Sequence, residues 1–111
     1  MTDTPDTPII NRRHLARYTL GNAALEREVL GLFIDQIPET LSQFDGAEDD
    51  AGRIRAAHTL KGSARAVGAQ RLAEVAEAIE RASREGRDVG ALRRDLFTAC
   101  EDVRQAIMAE T

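Results

Sequence analysis

Tryptophan is absent, and aromatic residues make up only 4% of the 111 residues. Alanine, leucine, glutamate and arginine dominate instead, which argues against a β protein and for packed helices. The single cysteine, Cys100, excludes an intrachain disulfide. It falls near an apolar stripe, where a buried, inert thiol is expected. No apolar run approaches the ~20 residues of a membrane span, and no signal-peptide pattern opens the chain. The net charge is −4 with no basic block, which excludes a non-specific nucleic-acid binder. A glycine-rich phosphate loop is also missing, so no ATP site is expected. These absences leave a single cytoplasmic domain, long enough to bury about two-thirds of its unfolded surface.

The helix signals are present in order. Residues 1–8 are polar and contain proline, and a flexible segment is expected over 1–9, followed by a helical domain over 10–111. Asn11 can cap a short helix to about Thr19, with Leu15 and Tyr18 apolar and Gly21 ending it. Asn22 caps a second helix to about Phe44, whose apolar positions are Leu25, Val29, Leu32, Phe33, Ile37, Leu41 and Phe44. Pro38 lies within it and should kink or interrupt it. An acidic turn over 45–50 suits the start of a third helix carrying Ile54, Ala57, Leu60, Ala64 and Val67 and closing at Gly68.

A fourth helix spans Gln70 to Glu85, burying Leu72, Val75, Ala76, Ile79 and Ala82, with Gly86 as a left-handed terminator. Asp88 caps a fifth, which buries Leu92, Leu96, Ala99, Val103 and Ile107. No segment alternates with period two, so no strands are predicted. Short connections between long helices predict an all-α fold: an up-and-down antiparallel four-helix bundle with a short extra N-terminal helix, expected to be monomeric.

At about 100° per residue, His58, Lys61, Gly62 and Arg65 share one stripe of the third helix, opposite Leu60, Ala64 and Val67. A histidine facing water could accept a phosphoryl group, relay protons or bind metal; unperturbed imidazole titrates near pH 6.5. Metal binding is poorly supported. His14 is the only other histidine, and no cysteine or carboxylate stands at ligand spacing on the His58 face. Proton-transfer catalysis lacks a second group.

Phosphoryl acceptance suits the neighbours better. Lys61 sits one turn along, within reach of a phosphoryl oxygen. Arg55 and Arg65 extend the positive field. Gly62 costs roughly 1 kcal/mol relative to alanine in mid-helix, which makes sense if a partner must approach the imidazole closely. Ile54, about 40° round from His58, either edges that docking patch or belongs to the core margin. His14 has no part in this chemistry.

The run His58-Thr59-Leu60-Lys61-Gly62-Ser63-Ala64 resembles the signature of histidine-containing phosphotransfer (HPt) domains. So do Val67-Gly68-Ala69, Leu72, Ala76, Ile79, Glu80 and Gly86 after it, and Leu30-Gly31-Leu32-Phe33 and Ile37-Pro38 before it. The resemblance covers about residues 22–108. It implies a four-helix bundle with His58 phosphorylated on the nitrogen farther from the backbone. The phosphoryl group would come from a receiver-domain aspartate of a hybrid kinase or response regulator and pass reversibly to another. Lys61 would steady it, and Gly62 would leave room for the receiver, which brings the Mg²⁺. No intrinsic cofactor is implied.

Two alternatives share these residues. One is the N-terminal phosphoacceptor domain of a chemotaxis-type kinase; a start at Met1 and an end at Thr111 favour a free-standing protein over it. The other is a helical adaptor that docks on response regulators without carrying phosphate. Intact His58, Lys61 and Gly62 count against that.

Overall fold

The computed structural model describes residues 9–109. Among them are five α-helices and no strand: α1 Arg12–Thr19, α2 Ala23–Asp45, α3 Asp50–Val67, α4 Gln70–Arg84 and α5 Gly90–Met108. The flexible segment expected over 1–9 falls almost wholly outside the described residues.

Local chemistry sets most boundaries. The side chains of Asn11, Asn22 and Asp49 accept from the backbone N–H groups of His14, Leu25 and Gly52, each satisfying a donor that the first helical turn leaves free. Helix α1 ends differently from the reading above: Leu20, not only Gly21, takes a left-handed conformation, at φ 55°. Helix α5 also begins later than Asp88 suggested. Val89 is its cap residue, and the Asp88 carboxylate reaches Gly90 N from one position further back, at 3.4 Å. Pro38 does not interrupt α2, which runs unbroken past it with the ring exposed.

In the core, α3 packs against α2 and α4, α4 against α5, and α2 against α5, with α1 lying on α2 and α3. Leu15, Leu60, Leu72, Ile79, Leu96 and Val103 are fully buried at its centre. Alanines recur among the buried residues of both helices: Ala56, Ala57 and Ala64 on α3, Ala73, Ala76 and Ala82 on α4. Small side chains let two helix axes approach closely. Cys100 is buried as expected, and desolvation pushes its thiol up to about 12.

The buried face of α2 is Leu30, Phe33, Ile37, Thr40 and Phe44. Leu25 and Leu32, placed in the apolar stripe by periodicity, are exposed. The apolar residues of α2 cover a wide arc, and contacts with α3 and α5 turn Leu30 inward. Val75 and Leu92 are half-buried rather than buried. At the far end of α2, Arg93 grips Asp45 with two bonds of 2.6 and 2.7 Å, tying α5 to α2 and holding the Asp45 carboxyl below its ordinary range.

Helix α1 is fastened through Gly68. The 6→1 and 5→2 bonds, Ala69 N to Ala64 O and Gly68 N to Arg65 O, close α3 with glycine at φ 82°. Asn11 N then donates to Gly68 O at 2.8 Å. A Cβ on Gly68 would stand 2.7 Å from Asn11 O, so glycine is required for close approach as well as for conformation. Gly86 terminates α4 in the same way, at φ 69°, but with open space around it. Gly86→Ala should therefore cost about 1 kcal/mol, the left-handed penalty alone. Gly68→Ala should cost at least about 1 kcal/mol more, because α1 must shift. Equal losses in urea denaturation would show that α1 is not held at Gly68.

Candidate functional site

His58 is placed by α3 and buttressed by α4. Leu60, Ala57 and Ala64 fix the rotation of α3 by entering the core, which leaves the His58 side chain 66% exposed. Gly62 and Arg55 are exposed beside it, and Ile54 is half-buried at the margin. Arg65 is exposed and reaches α4, where Glu77 accepts from it at 3.2 Å; Glu77 also pairs with Arg81.

Lys61 departs from the sequence reading. It does not point outward with His58, since its side chain is only 14% exposed. It lies about 60° round the helix, on the α4 side, with Nζ 2.7 Å from Glu80 Oε1. At that distance the contact is a charge-assisted one between ammonium and carboxylate.

The residue that sequence reasoning left without a role is Glu80. Its carboxylate is 7% exposed, on the buried stripe of α4 between Ala76, Ile79 and Ser83. Oε2 accepts from Arg84 at 2.7 Å and lies 3.3 Å from His58 Nδ1. A carboxylate can be buried only where opposite charge and donors replace its water. Lys61 first and Arg84 second hold its pKa down to about 2, with His58 adding to them and desolvation opposing. The signal was present in the sequence: a glutamate at i+4 from Ala76 and i+8 from Leu72 sits inside an apolar stripe. Spacing along α3 could not show this carboxylate, because it comes from the neighbouring helix.

The chemical consequence is a sorted imidazole. A carboxylate is acceptor-only, so the contact requires the proton on Nδ1 and leaves the lone pair on Nε2, toward solvent. The site has no enclosing cavity. Lys61, Glu77, Glu80, Arg81 and Arg84 line only a shallow depression of about 170 Å³ beside it. His14, expected to be uninvolved, lies against Tyr18 with ring centroids 5.4 Å apart.

The site is thus an exposed imidazole on a helical platform, backed by a buried carboxylate from the neighbouring helix. The comparisons give the family. The Hpt domain model matches residues 28–108. The crystal structure of histidine-containing phosphotransfer protein B (HptB) from Pseudomonas aeruginosa PAO1 superposes with a TM-score of 0.83 over 95% of this chain and 96% of that one, at 23% identity. No curated protein matches the sequence. The chain belongs to the Hpt domain family and is a histidine phosphotransfer protein of phosphorelays, which act with receiver domains. No helix among the described residues is long and apolar enough to cross a membrane.

Glu80 also gives the site a pH signature. Its carboxyl titrates lower in the folded state, so its stabilisation is complete above about 4.5 and is lost as pH falls toward about 2. Glu80→Gln should cost on the order of 2 kcal/mol at pH 7. In urea titrations the gap to wild type should close between pH 4.5 and 2. A gap of constant size would mean that the charge is not what stabilises the site.

Proposed function

We propose that His58 is the phosphoacceptor and that the protein carries a phosphoryl group between receiver-domain aspartates. The observation that carries this reading is the exposed imidazole whose inner nitrogen faces a buried carboxylate. The Nε2 lone pair attacks the phosphorus of an aspartyl phosphate. As the N–P bond forms, the P–O bond breaks and the aspartyl carboxylate leaves with the electron pair. The ring keeps its Nδ1 proton and becomes cationic, and Glu80 faces that charge. Attack by the aspartate of a second receiver reverses each step. The Mg²⁺ that the transfer uses is bound by the receiver.

Lys61 and Arg84 act in this reading through Glu80, keeping it ionised, and as the nearest cations to the phosphoryl oxygens. Gly62, Arg55, Arg65 and Ile54 form the docking ground around His58. The ring of α2 to α5 is read as an up-and-down antiparallel four-helix bundle with α1 added, working as a monomer in the cytoplasm.

The decisive experiment mixes the protein with phosphorylated receiver domains and follows the label. Wild type should take it up, and His58→Gln should not. Transfer to the variant would sink the assignment. ¹⁵N spectra of His58 should show the proton on Nδ1, and a predominant Nε2 proton would remove the role given to Glu80.

Gly62 supplies a separate check. A Cβ there would meet nothing within 4 Å, so packing inside the protein does not require glycine. Gly62→Ala should raise stability by roughly 0.5–1 kcal/mol. Larger side chains, as in Gly62→Gln, should slow transfer from a receiver while leaving the fold intact. Unchanged transfer with Gly62→Gln would show that nothing approaches this point closely.

A further inference from the structure

Leu20 is a large apolar side chain in a place where both backbone and surroundings argue against one. Among the described residues it alone has a positive φ without being glycine, at 55°, and it is 91% exposed. In that left-handed conformation an L side chain crowds the following carbonyl, so such caps are usually glycine or asparagine. The exposed side chain gains no burial in exchange. Tyr18, two residues earlier, is 61% exposed, and Leu25 in the first turn of α2 is exposed as well. An apolar corner therefore projects where α1 turns into α2, and nothing inside the fold requires it.

Charge sets this corner apart from the rest of the molecule. No acidic residue occurs from Ile9 to Leu25, although the whole chain carries 19 acidic residues against 15 basic. Arg13 and Arg17 lie one turn apart on the side of α1 opposite the buried Leu15 and Thr19, and both are exposed. Neither enters an ion pair among the described residues. Glu26, the first carboxylate to follow, is drawn inward, where Thr19 donates to it at 2.9 Å and Arg12 stands 4.0 Å away. His58 is well clear of this surface. Asn11 N bonds Gly68 O, so α1 starts at the C-terminal end of α3, about 15 Å along that helix from His58. Helix α2 starts at the same end, since 46–49 join its other end to the start of α3.

We propose that the α1–α2 corner is a second binding surface, which seats reversibly on an anionic lipid surface. Leu20 and Tyr18 enter the headgroup layer, and Arg13 and Arg17 meet lipid phosphates beside them. The shape of the corner favours lipid over protein. A lasting protein contact buries about 800 Å² on each side against a matching surface. The clefts that open beside His14, Leu30, Gln43 and Arg84 all leave Tyr18 and Leu20 out. A projecting corner with no apolar hollow around it needs a fluid interface, which supplies its own fit. Two cations and one apolar tip give a weak, salt-sensitive hold that leaves His58 open to a receiver. The proposal stands apart from the phosphoacceptor reading and does not depend on it.

The test is flotation of the full chain with vesicles of equimolar phosphatidylglycerol and phosphatidylcholine, and with vesicles of phosphatidylcholine alone. Wild type should bind the anionic vesicles roughly tenfold more tightly, and rising salt should remove the difference. Leu20→Gly should weaken that binding roughly tenfold and yet raise the urea midpoint, because glycine relieves the left-handed cap. The double change R13Q/R17Q should make the two kinds of vesicle equivalent. Phe97→Ala removes an apolar side chain 50% exposed on α5 and should change nothing. Absence of wild-type binding to anionic vesicles, or full binding by Leu20→Gly, would overturn the proposal. If vesicles are ignored while Leu20→Gly raises KM for a receiver, the corner belongs to a protein contact and the lipid assignment falls.

Discussion

The carboxylate of Glu80 is the constraint on which the functional face depends. A negative charge at 7% exposure is tolerable only while cations and donors stand where water would be. Lys61 from α3 and Arg84 from the next turn of α4 meet that demand, Lys61 drawn away from solvent to do so and Arg84 reaching in from the surface. The same demand orients His58, because the oxygen held by Arg84 is the one that faces Nδ1. Burial on α4 thereby decides which nitrogen of an exposed ring on α3 is engaged within the protein.

How much of this the sequence disclosed depends on the range of each interaction. Helix boundaries rest on contacts within a few residues, so Asn11, Asn22, Gly68 and Gly86 marked them correctly, and the acidic turn over 45–50 contained the third cap, Asp49, without singling it out. Asp88 was one position off, because its side chain reaches past the true cap. The rotation of α3 was also legible: the stripe of Leu60, Ala64 and Val67 puts His58 outside. Helical angle alone could not reveal that Lys61, on the same outward half of the wheel, would turn to a partner on α4. That partner is 22 residues from His58 in sequence, and only packing brings it near. Leu32 failed for another reason. Apolar residues cover too wide an arc of α2 for periodicity to choose among faces, and neighbouring helices made the choice.

Stability and function are separated across the molecule in a way the glycines make visible. Gly68 is required from within, because Asn11 crowds it and the backbone is left-handed there. Gly62 is required by nothing inside the protein, yet it occupies mid-helix, where it weakens α3. A residue that costs stability without an internal reason points to a demand from outside. Ends of the fold are fixed by the first kind of glycine and by the Arg93–Asp45 clasp. The middle of α3, between those fixed points, is the stretch left open for contact.

A carrier that passes its group in both directions faces a particular design problem. It must activate a nucleophile without building a pocket that would favour one partner's transition state or retain the product. In the reading proposed above, the buried Glu80 meets that requirement from behind. It polarises the ring through Nδ1 and leaves Nε2 to the partner. The balance between accepting and donating then rests on the receiver's chemistry and on the docking face, not on closure of a site. That explains why so little catalytic machinery is found here and why the machinery present is rigid. The imidazole must hold its angle against two different partners, and a carboxylate pinned by two cations in a helix interface holds it at little entropic cost on docking.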